Sequence, residues 1–542
     1  MQRLVYPVGL VLAASCVWCG GTLAGPTADP LPAPNPIPGT LVIVGGGRTP
    51  PAILREFVER AGGKQAKLVV IPTASAEADR PDQAESFLEQ WRAYQPASLQ
   101  LLHTRNRQQA DDPAFSAALT EATGVWLSGG DQARLLAAYR ATRVHERLRQ
   151  VLERGGVVGG TSAGAAALAD SAILGGRVPA VQTGPGLGLL PGFWIEQHAF
   201  KRDRINRLLH LLHPKSDRVG LAIDEATAVV VRGRTLQVIG ESYVAVVLAA
   251  SAQKPASVEI LKAGDTADLV QLRRAAVART RDLFPARPAR QPVVPAGTLF
   301  IGGGGGMPAV GWQRFIEAAG GPDAPIVVIP TALEDPLPKL IGEVVALRKA
   351  GANRVTVLHT RDRKQADDPT FAEPLKSAKG VWFSGGRQWR LVDAYEGTLT
   401  EKLIHAVLAR GGAVGGSSAG ASIQGEYMPR GHPLGNLVMM AEGYERGFGL
   451  LPGVAIDQHF FARKRTQDMT ELMQVYPHLL GIGIDEGTLL VVKGSVMEVL
   501  GASKVAVYDR RTPPAPAGPD YLELPAGSTY DLLKRQRLDG PR

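Results

Sequence analysis

The chain has 542 residues, 45% of them hydrophobic and 20% charged, with a formal net charge of +9. Those proportions belong to a soluble globular protein, and the length excludes a single ordinary core. The positive excess is spread along the chain without a long block of Lys and Arg, so no nucleic-acid partner is expected.

Reading from the N-terminus, Arg3 precedes an apolar stretch over residues 4–17, and Thr22-Leu23-Ala24 suits cleavage after Ala24. Residues 1–24 therefore read as a secretory signal peptide, which places the mature protein outside the cytoplasm, secreted or periplasmic. The stretch is too short, and too interrupted by Pro7 and Gly9, for a membrane span, so none is expected in the mature protein. Ala13-Ala14-Ser15-Cys16 resembles a lipoprotein site only faintly, because Ala13 stands where Leu is usual; anchoring at Cys16 is the weaker expectation. Cys16 and Cys19 are the chain's two cysteines, so cleavage after Ala24 leaves no disulfide, no thiol nucleophile and no Cys metal site.

A Pro-rich spacer over residues 25–38 is followed by short β-branched runs at 41–44, 68–71 and 125–127 that read as buried parallel strands. Amphipathic stretches at 52–61 and 132–139 read as helices between them. Near the end of this unit, runs at 227–231 and 235–239 flank Arg232-Gly-Arg as a hairpin. The whole series then returns. Gly39-Thr-Leu-Val-Ile-Val-Gly-Gly-Gly47 recurs as Gly297-Thr-Leu-Phe-Ile-Gly-Gly-Gly-Gly305, and Val69-Val-Ile-Pro-Thr-Ala74 as Val327-Val-Ile-Pro-Thr-Ala332. The offset is 256 at His103 and His359 (359 − 103) and 261 at His198 and His459 (459 − 198), and one short insertion between these points explains the change. Two long copies mean a domain duplication rather than a solenoid. The expected organisation is domain 1 at 39–283, a Pro-rich linker at 284–296, domain 2 at 297–511 and a tail at 512–542 that opens with Pro513-Pro-Ala-Pro516. Each domain is expected to be α/β, with a mostly parallel sheet covered by helices on both faces and a β-hairpin near its C-terminal end.

The sharpest chemical motif is Gly160-Thr-Ser162-Ala-Gly164, mirrored by Gly416-Ser-Ser418-Ala-Gly420. A serine on a tight strand-to-helix turn needs small flanking residues, so both fit a nucleophile elbow, and two occurrences at matching places outweigh a mere packing turn. A serine needs a base. Of the ten histidines only two pairs match between copies. His103 and His359 read as capped strand ends. His198 and His459, just after a Leu-Leu-Pro-Gly turn, read as the bases. For the orienting acid, Glu225 and Glu486 follow the histidines at one separation (225 − 198 = 27 and 486 − 459 = 27), with Asp224 and Asp485 as close substitutes and Asp170 and Glu426 as the competing pair. The Ser-Gly-Gly turns at Ser128 and Ser384 offer the amides of Gly130 and Gly386, beside those of Ala163 and Ala419, for a developing oxyanion. Gly45–Gly47 and Gly302–Gly306 lack a dinucleotide or phosphate pattern and read as tight turns after the first strand. Arg202, Arg204 and Arg207, then Arg463 and Arg465, follow the histidines at a spacing that suits a carboxylate grip. Nothing calls for a metal or an organic cofactor.

Gly-Gly-Thr-Ser-Ala-Gly-Ala (159–165), Gly-Gly-Asp-Gln (129–132), Asp-Gln-His (457–459) and Gly-Ile-Asp-Glu (483–486) resemble the cyanophycinase and dipeptidase E family of serine peptidases. The resemblance covers nearly all of both copies. It implies a fold similar to the class I glutamine-amidotransferase sheet, of the flavodoxin-like kind, and a Ser-His-Glu charge relay. It further implies a pocket for acidic, β-linked aspartyl substrates, with cyanophycin cut to β-Asp-Arg dipeptides. Gln132, Gln197, Arg202, Arg204 and Arg207, then Gln388, Asp457, Gln458, Arg463 and Arg465, are the pocket residues it implies. Copy one departs from that pattern with Glu196 for Asp and a shorter serine-to-histidine interval (198 − 162 = 36 against 459 − 418 = 41); copy two departs with Arg387 for Asp and Asp468 for the third Arg. An amidotransferase would need an elbow cysteine, and an α/β-hydrolase would order its triad serine, acid, histidine. An isoaspartyl dipeptidase of the same family, or a binding protein with one degenerate copy, are the alternatives, and the two copies are expected to pack as a pseudo-dimer.

Overall fold

Each run of β-branched residues read as a strand is one, lengthened by one to four residues where neighbours complete the hydrogen-bond ladder. The computed structural model describes residues 30–538, apart from residues 34, 213–215, 253, 282 and 512–517. The expected signal peptide, with Cys16 and Cys19, and residues 513–516 lie outside the described residues.

In copy one the strands are β1 (Ile37–Val44), β2 (Lys67–Ile71), β3 (Ser98–Leu101), β4 (Gly124–Leu127), β5 (Val157–Thr161), β6 (Ser171–Arg177), β7 (Ala180–Pro185), β8 (Phe193–Gln197), β9 (Val219–Ile223), β10 (Thr227–Gly233), β11 (Thr235–Gly240), β12 (Tyr243–Leu248), β13 (Ser257–Lys262) and β14 (Thr266–Asp268). The main sheet runs β14-β11-β10-β1-β5-β4-β2-β3, parallel from β1 to β3 and antiparallel beyond β1. Its β1 is buried over Leu41, Val42, Ile43 and Val44, because helices cover both faces. Helix Pro51–Arg60 turns Ile53, Leu54, Phe57 and Val58 inward on one side. Helix Arg143–Glu153 does so with Val144, Leu148, Val151 and Leu152 on the other, both at helical spacing. Gly159 on β5 has a packing reason, since a Cβ there would lie 2.6 Å from the Trp126 ring; Gly415 stands likewise 2.4 Å from Trp382.

The expected hairpin is β10–β11, and it extends the main sheet. A second sheet, β13-β12-β9-β8, was not legible in the sequence, because strands such as Phe193-Trp-Ile-Glu-Gln197 show neither alternation nor a long β-branched run. Copy two repeats the plan with β15 (Val294–Gly302), β16 (Ile326–Ile329), β17 (Val355–Val357), β18 (Gly380–Phe383), β19 (Ala413–Ser417), β20 (Gly425–Tyr427), β21 (Leu451–Gln458), β22 (Leu480–Ile484), β23 (Thr488–Gly494), β24 (Val496–Gly501), β25 (Lys504–Asp509), β26 (Leu522–Pro525), β27 (Thr529–Asp531) and β28 (Gln536–Arg537). Its sheets are β17-β16-β18-β19-β15-β23-β24-β27-β28 and β20-β21-β22-β25-β26. Copy two starts pairing at Val294, within the stretch read as linker. Among the described residues no helix is long and apolar enough to cross a membrane.

Helix Leu269–Ala278, which follows β14, joins the copies. Its Val270 belongs to the apolar core of copy two, and its fully buried Arg274 donates to the Gly443 carbonyl and Glu396. Arg234 bridges Asp268 of its own copy to Asp393 at 2.7 Å, donates to Tyr444 and lies 4.2 Å from the Trp389 ring centre. Arg279 grips Glu442 with two bonds of 2.8 and 2.9 Å. Because Asp268 and Asp393 are buried, Arg234→Ala strands two carboxylates without their cation. We expect it to lose about 3–5 kcal/mol of stability, measured by urea denaturation.

Candidate active site

The parallel pairing of β1 with β5 ends at Val44 opposite Thr161, which sets Ser162 at the carboxyl edge of the sheet before helix Ala163–Ala167. Ser162 adopts φ +53°, ψ −112°, and Ser418 φ +56°, ψ −114°, a conformation costing about 1–3 kcal/mol that the surroundings must enforce. The flanking glycines are what permit it. A Cβ on Gly160 would meet Gly164 at 2.6 Å, and one on Gly164 would meet the Leu127 carbonyl oxygen at 2.2 Å.

The imidazole arrives from the second sheet. His198 directly follows β8, and His459 follows β21, so the residues after the Leu-Leu-Pro-Gly motif form a strand, not a loop, and its end delivers each ring. Both histidines are left-handed, φ +53° and +51°, and each backbone N–H donates at 2.8 Å to a glycine after the first strand, Gly45 or Gly303. Ser162 Oγ lies 2.8 Å from His198 Nε2, and His198 Nδ1 lies 2.6 Å from Glu225 Oε1. In copy two the distances are 2.9 and 2.6 Å, with Ser418, His459 and Glu486.

The competing acids sit elsewhere. Asp224 accepts from the Phe200 and Lys201 amides and from Ser242; Asp485 does the same for Phe461, Ala462 and Ser503. These carboxylates cap the loop after each histidine. Asp170 pairs with Arg218, and Glu426 with Arg290 and the Gly453 amide. His103 and His359 bridge Thr73 to Asp79 and Thr331 to Asp335, away from the serines.

Burial lowers both His198 and His459 below the ordinary imidazole range, outweighing the opposing pull of the glutamate hydrogen bond. Each ring is therefore neutral at neutral pH, with Nδ1–H donating to glutamate and Nε2 free to accept the serine proton.

The Ser-Gly-Gly turn lies against the serine. A Cβ on Gly129 would stand 3.4 Å from Ser162 Cβ, and one on Gly385 3.4 Å from Ser418 Cβ. Gly130 (φ +139°) and Gly386 (φ +133°) press on the carbonyls of Ala74 and Ala332, where a Cβ would fall at 2.1 and 2.2 Å. Ala163 and Ala419 open the helices after the serines and are fully buried.

The side chains expected to line the pocket divide. Gln132 and Gln388 are buried and turn their amide nitrogens to the carbonyls of Ile173 and Pro429, holding the segment beyond the elbow helix. Arg207 is not free to grip a ligand, because its guanidinium makes two bonds of 2.7 and 2.6 Å to buried Glu196. Arg204 donates to Gln197. Arg465 is buried on Asp457 and Gln458. Arg202 and Arg463 are the exposed members, Arg202 3.8 Å from Glu225. Where copy two lacks the third arginine, Arg430 supplies the cation from the longer serine-to-histidine interval, bonded to Asp457 at 3.1 Å and to Asp468 at 2.5 Å. No periodic signal marks Arg430; only the unmatched length of that segment could have drawn attention to it.

Sequence reasoning also passed over the glycine turns as mere turns. A Cβ on Gly46 would sit 2.3 Å from His198 Cε1, and one on Gly304 2.2 Å from His459 Cε1; Gly47 and Gly305 abut Glu225 and Glu486 in the same way. The recurrence of the glycine run in both copies was the available signal.

The profile of peptidase family S51 matches residues 41–239 and 299–500. The cyanophycinase of Geminocystis herdmanii is 36% identical over 206 residues, which cover 36% of this chain and 74% of that protein. The cyanophycinase of a Nostoc species is 37% identical over 204 residues, covering 36% and 67%. Among solved structures, a peptidase from an acI-B1 actinobacterium aligns with a TM-score of 0.34 at 25% identity, covering 44% of this chain and 97% of its own.

Gly46→Ala with Gly304→Ala is expected to cut turnover at least tenfold, since the rings must leave hydrogen-bond range of the serines; peptidase assay checks it. A lowered imidazole pKa keeps the base neutral further into acid. The acid limb of kcat/KM is therefore expected to have its midpoint below about 6.5, activity falling as pH drops through it; a pH–rate profile reads this directly.

Proposed function

The chain belongs to peptidase family S51 as a cyanophycinase-like serine peptidase in two tandem copies, and on that premise we propose that both copies hydrolyse cyanophycin to β-Asp-Arg through Ser-His-Glu relays. The observation that carries the reading is the unbroken line from Ser Oγ through imidazole to carboxylate, with links of 2.6–2.9 Å in each copy. Ser162 or Ser418 attacks the scissile carbonyl while His198 or His459 takes its proton at Nε2. Glu225 or Glu486 stabilises the imidazolium. The amides of Gly130 and Ala163, or Gly386 and Ala419, receive the oxyanion, and the imidazolium returns its proton to the leaving amine. Water then hydrolyses the acyl-enzyme by the same base. Exposed Arg202 and Arg463 at the rim are the cations suited to an aspartyl carboxylate. The apolar stretch at 4–17 supports action outside the cytoplasm.

The test incubates the protein with insoluble cyanophycin and identifies the products. Ser162→Ala with Ser418→Ala is expected to lose several orders of magnitude in rate; near-normal turnover by that double variant would sink the serine mechanism. Of the single variants, Ser418→Ala is expected to be the more damaging, because copy two has Asp457-Gln458-His459 in full. Intact polymer alongside cleaved isoaspartyl dipeptides would favour the dipeptidase reading.

A further inference from the structure

Outside the triads the molecule repeats a second cluster of polar side chains. Thr73 and His103 stand two residues beyond the carboxyl ends of β2 and β3, and Thr331 and His359 stand two residues beyond β16 and β17. In copy one, Thr73 Oγ1 lies 2.7 Å from Tyr139 Oη and 2.9 Å from His103 Nδ1, and His103 Nε2 lies 3.0 Å from Asp79. Arg105 donates Nε to Asp79 and its two terminal nitrogens to the carbonyls of Thr73 and Ser75. Copy two reproduces every one of these bonds with Thr331, Tyr395, His359, Asp335 and Arg361, the carbonyls being those of Thr331 and Leu333. The loops that bring the acid differ: Asp79 lies six residues after its threonine (79 − 73) and Asp335 four (335 − 331), in unrelated sequence. Two unlike loops delivering a carboxylate to one site indicate that the arrangement itself matters.

Its position says for what. The guanidinium clamps the carbonyls on either side of Ala74 and Ala332. Those two residues' own carbonyls accept from the amides of Asp131 at 2.8 Å and Arg387 at 2.9 Å, and they are the surfaces on which Gly130 and Gly386 rest. We propose that Arg105 and Arg361, locked by their His–Asp partners, are positioning residues that aim the oxyanion amides of Gly130 and Gly386 at the scissile carbonyl. The inference rests on the serine mechanism proposed above. An amide that serves only the oxyanion acts in the transition state, so loosening its support lowers kcat and leaves ground-state binding alone.

The experiment uses the full chain carrying Ser162→Ala, so that turnover of cyanophycin reports copy two. Adding Arg361→Gln is expected to lower kcat about ten- to a hundredfold with KM within about twofold. Binding of a boronic-acid analogue should weaken by the same factor. Arg105→Gln in this background, the same change in the silenced copy, should leave kcat unchanged. Asp335→Asn provides a milder variant, with a smaller fall in kcat at constant KM, should Arg361→Gln not fold. An unchanged kcat, a rise in KM alone, or an equal loss from Arg105→Gln overturns the proposal. Activity in the double serine variant overturns the serine mechanism and this inference with it, whereas an inert double variant beside an unaffected Arg361→Gln rejects the positioning role only. If Ser162→Ala is itself inert, Arg105→Gln in the Ser418→Ala chain reads the same outcomes for copy one.

Discussion

Two sheets meet at each site, and the seam between them is closed by a glycine turn that has no room for a side chain. Ser162 comes from the main sheet, His198 from the second, and Glu225 from the short link between β9 and β10 that passes from one to the other. Gly45 accepts the His198 amide and Gly46 lies flat against the imidazole. Were the turn bulkier, the sheets would stand apart by the width of a methyl group, and a hydrogen bond of 2.8 Å does not survive that displacement. The strained serine and histidine backbones are tolerated because strands, glycines and ladder bonds fix both ends of each.

The parts that could be read from the sequence are those in which a local pattern and a tertiary need coincide. The buried strands are β-branched because both faces are covered, and the elbow shows itself because its glycines are obligatory. Glu225 and Glu486 could be singled out by their common separation from the histidines, although Asp170 and Glu426 keep a common separation from the serines. The second sheet could not be read, since Glu196 and Gln197 interrupt the apolar pattern of β8 and Gly220, which packs against Leu208 and Leu212, interrupts that of β9. The fate of Arg207 and Arg465 was hidden for a related reason. Whether a guanidinium faces a ligand or neutralises a buried acid depends on burial, which a run of arginines does not disclose.

The copies differ where they touch. The longer serine-to-histidine segment of copy two begins at its own pocket, where Pro429 and Arg430 bind Gln388 and Asp457. It ends against copy one, where Gly443, Tyr444 and Glu442 receive Arg274, Arg234 and Arg279. One stretch of chain therefore lines a site and forms the joint. Copy one spans the same interval with the β6–β7 hairpin.

The joint has a directional character. Asp393, Glu396 and Trp389 receive the arginines of copy one, yet their counterparts in copy one, at an offset of 256, are Ala137, Arg140 and Ala133. Arg234 likewise corresponds, at an offset of 261, to Ser495. Donor and acceptor surfaces thus lie on different copies and are not reciprocated. A head-to-tail contact between identical subunits would have to close into a ring or grow without limit. Here the acceptors Asp393, Glu396 and Trp389 do not recur in copy one and the donor Arg234 does not recur in copy two, so these bonds cannot be repeated at the opposite face of either unit.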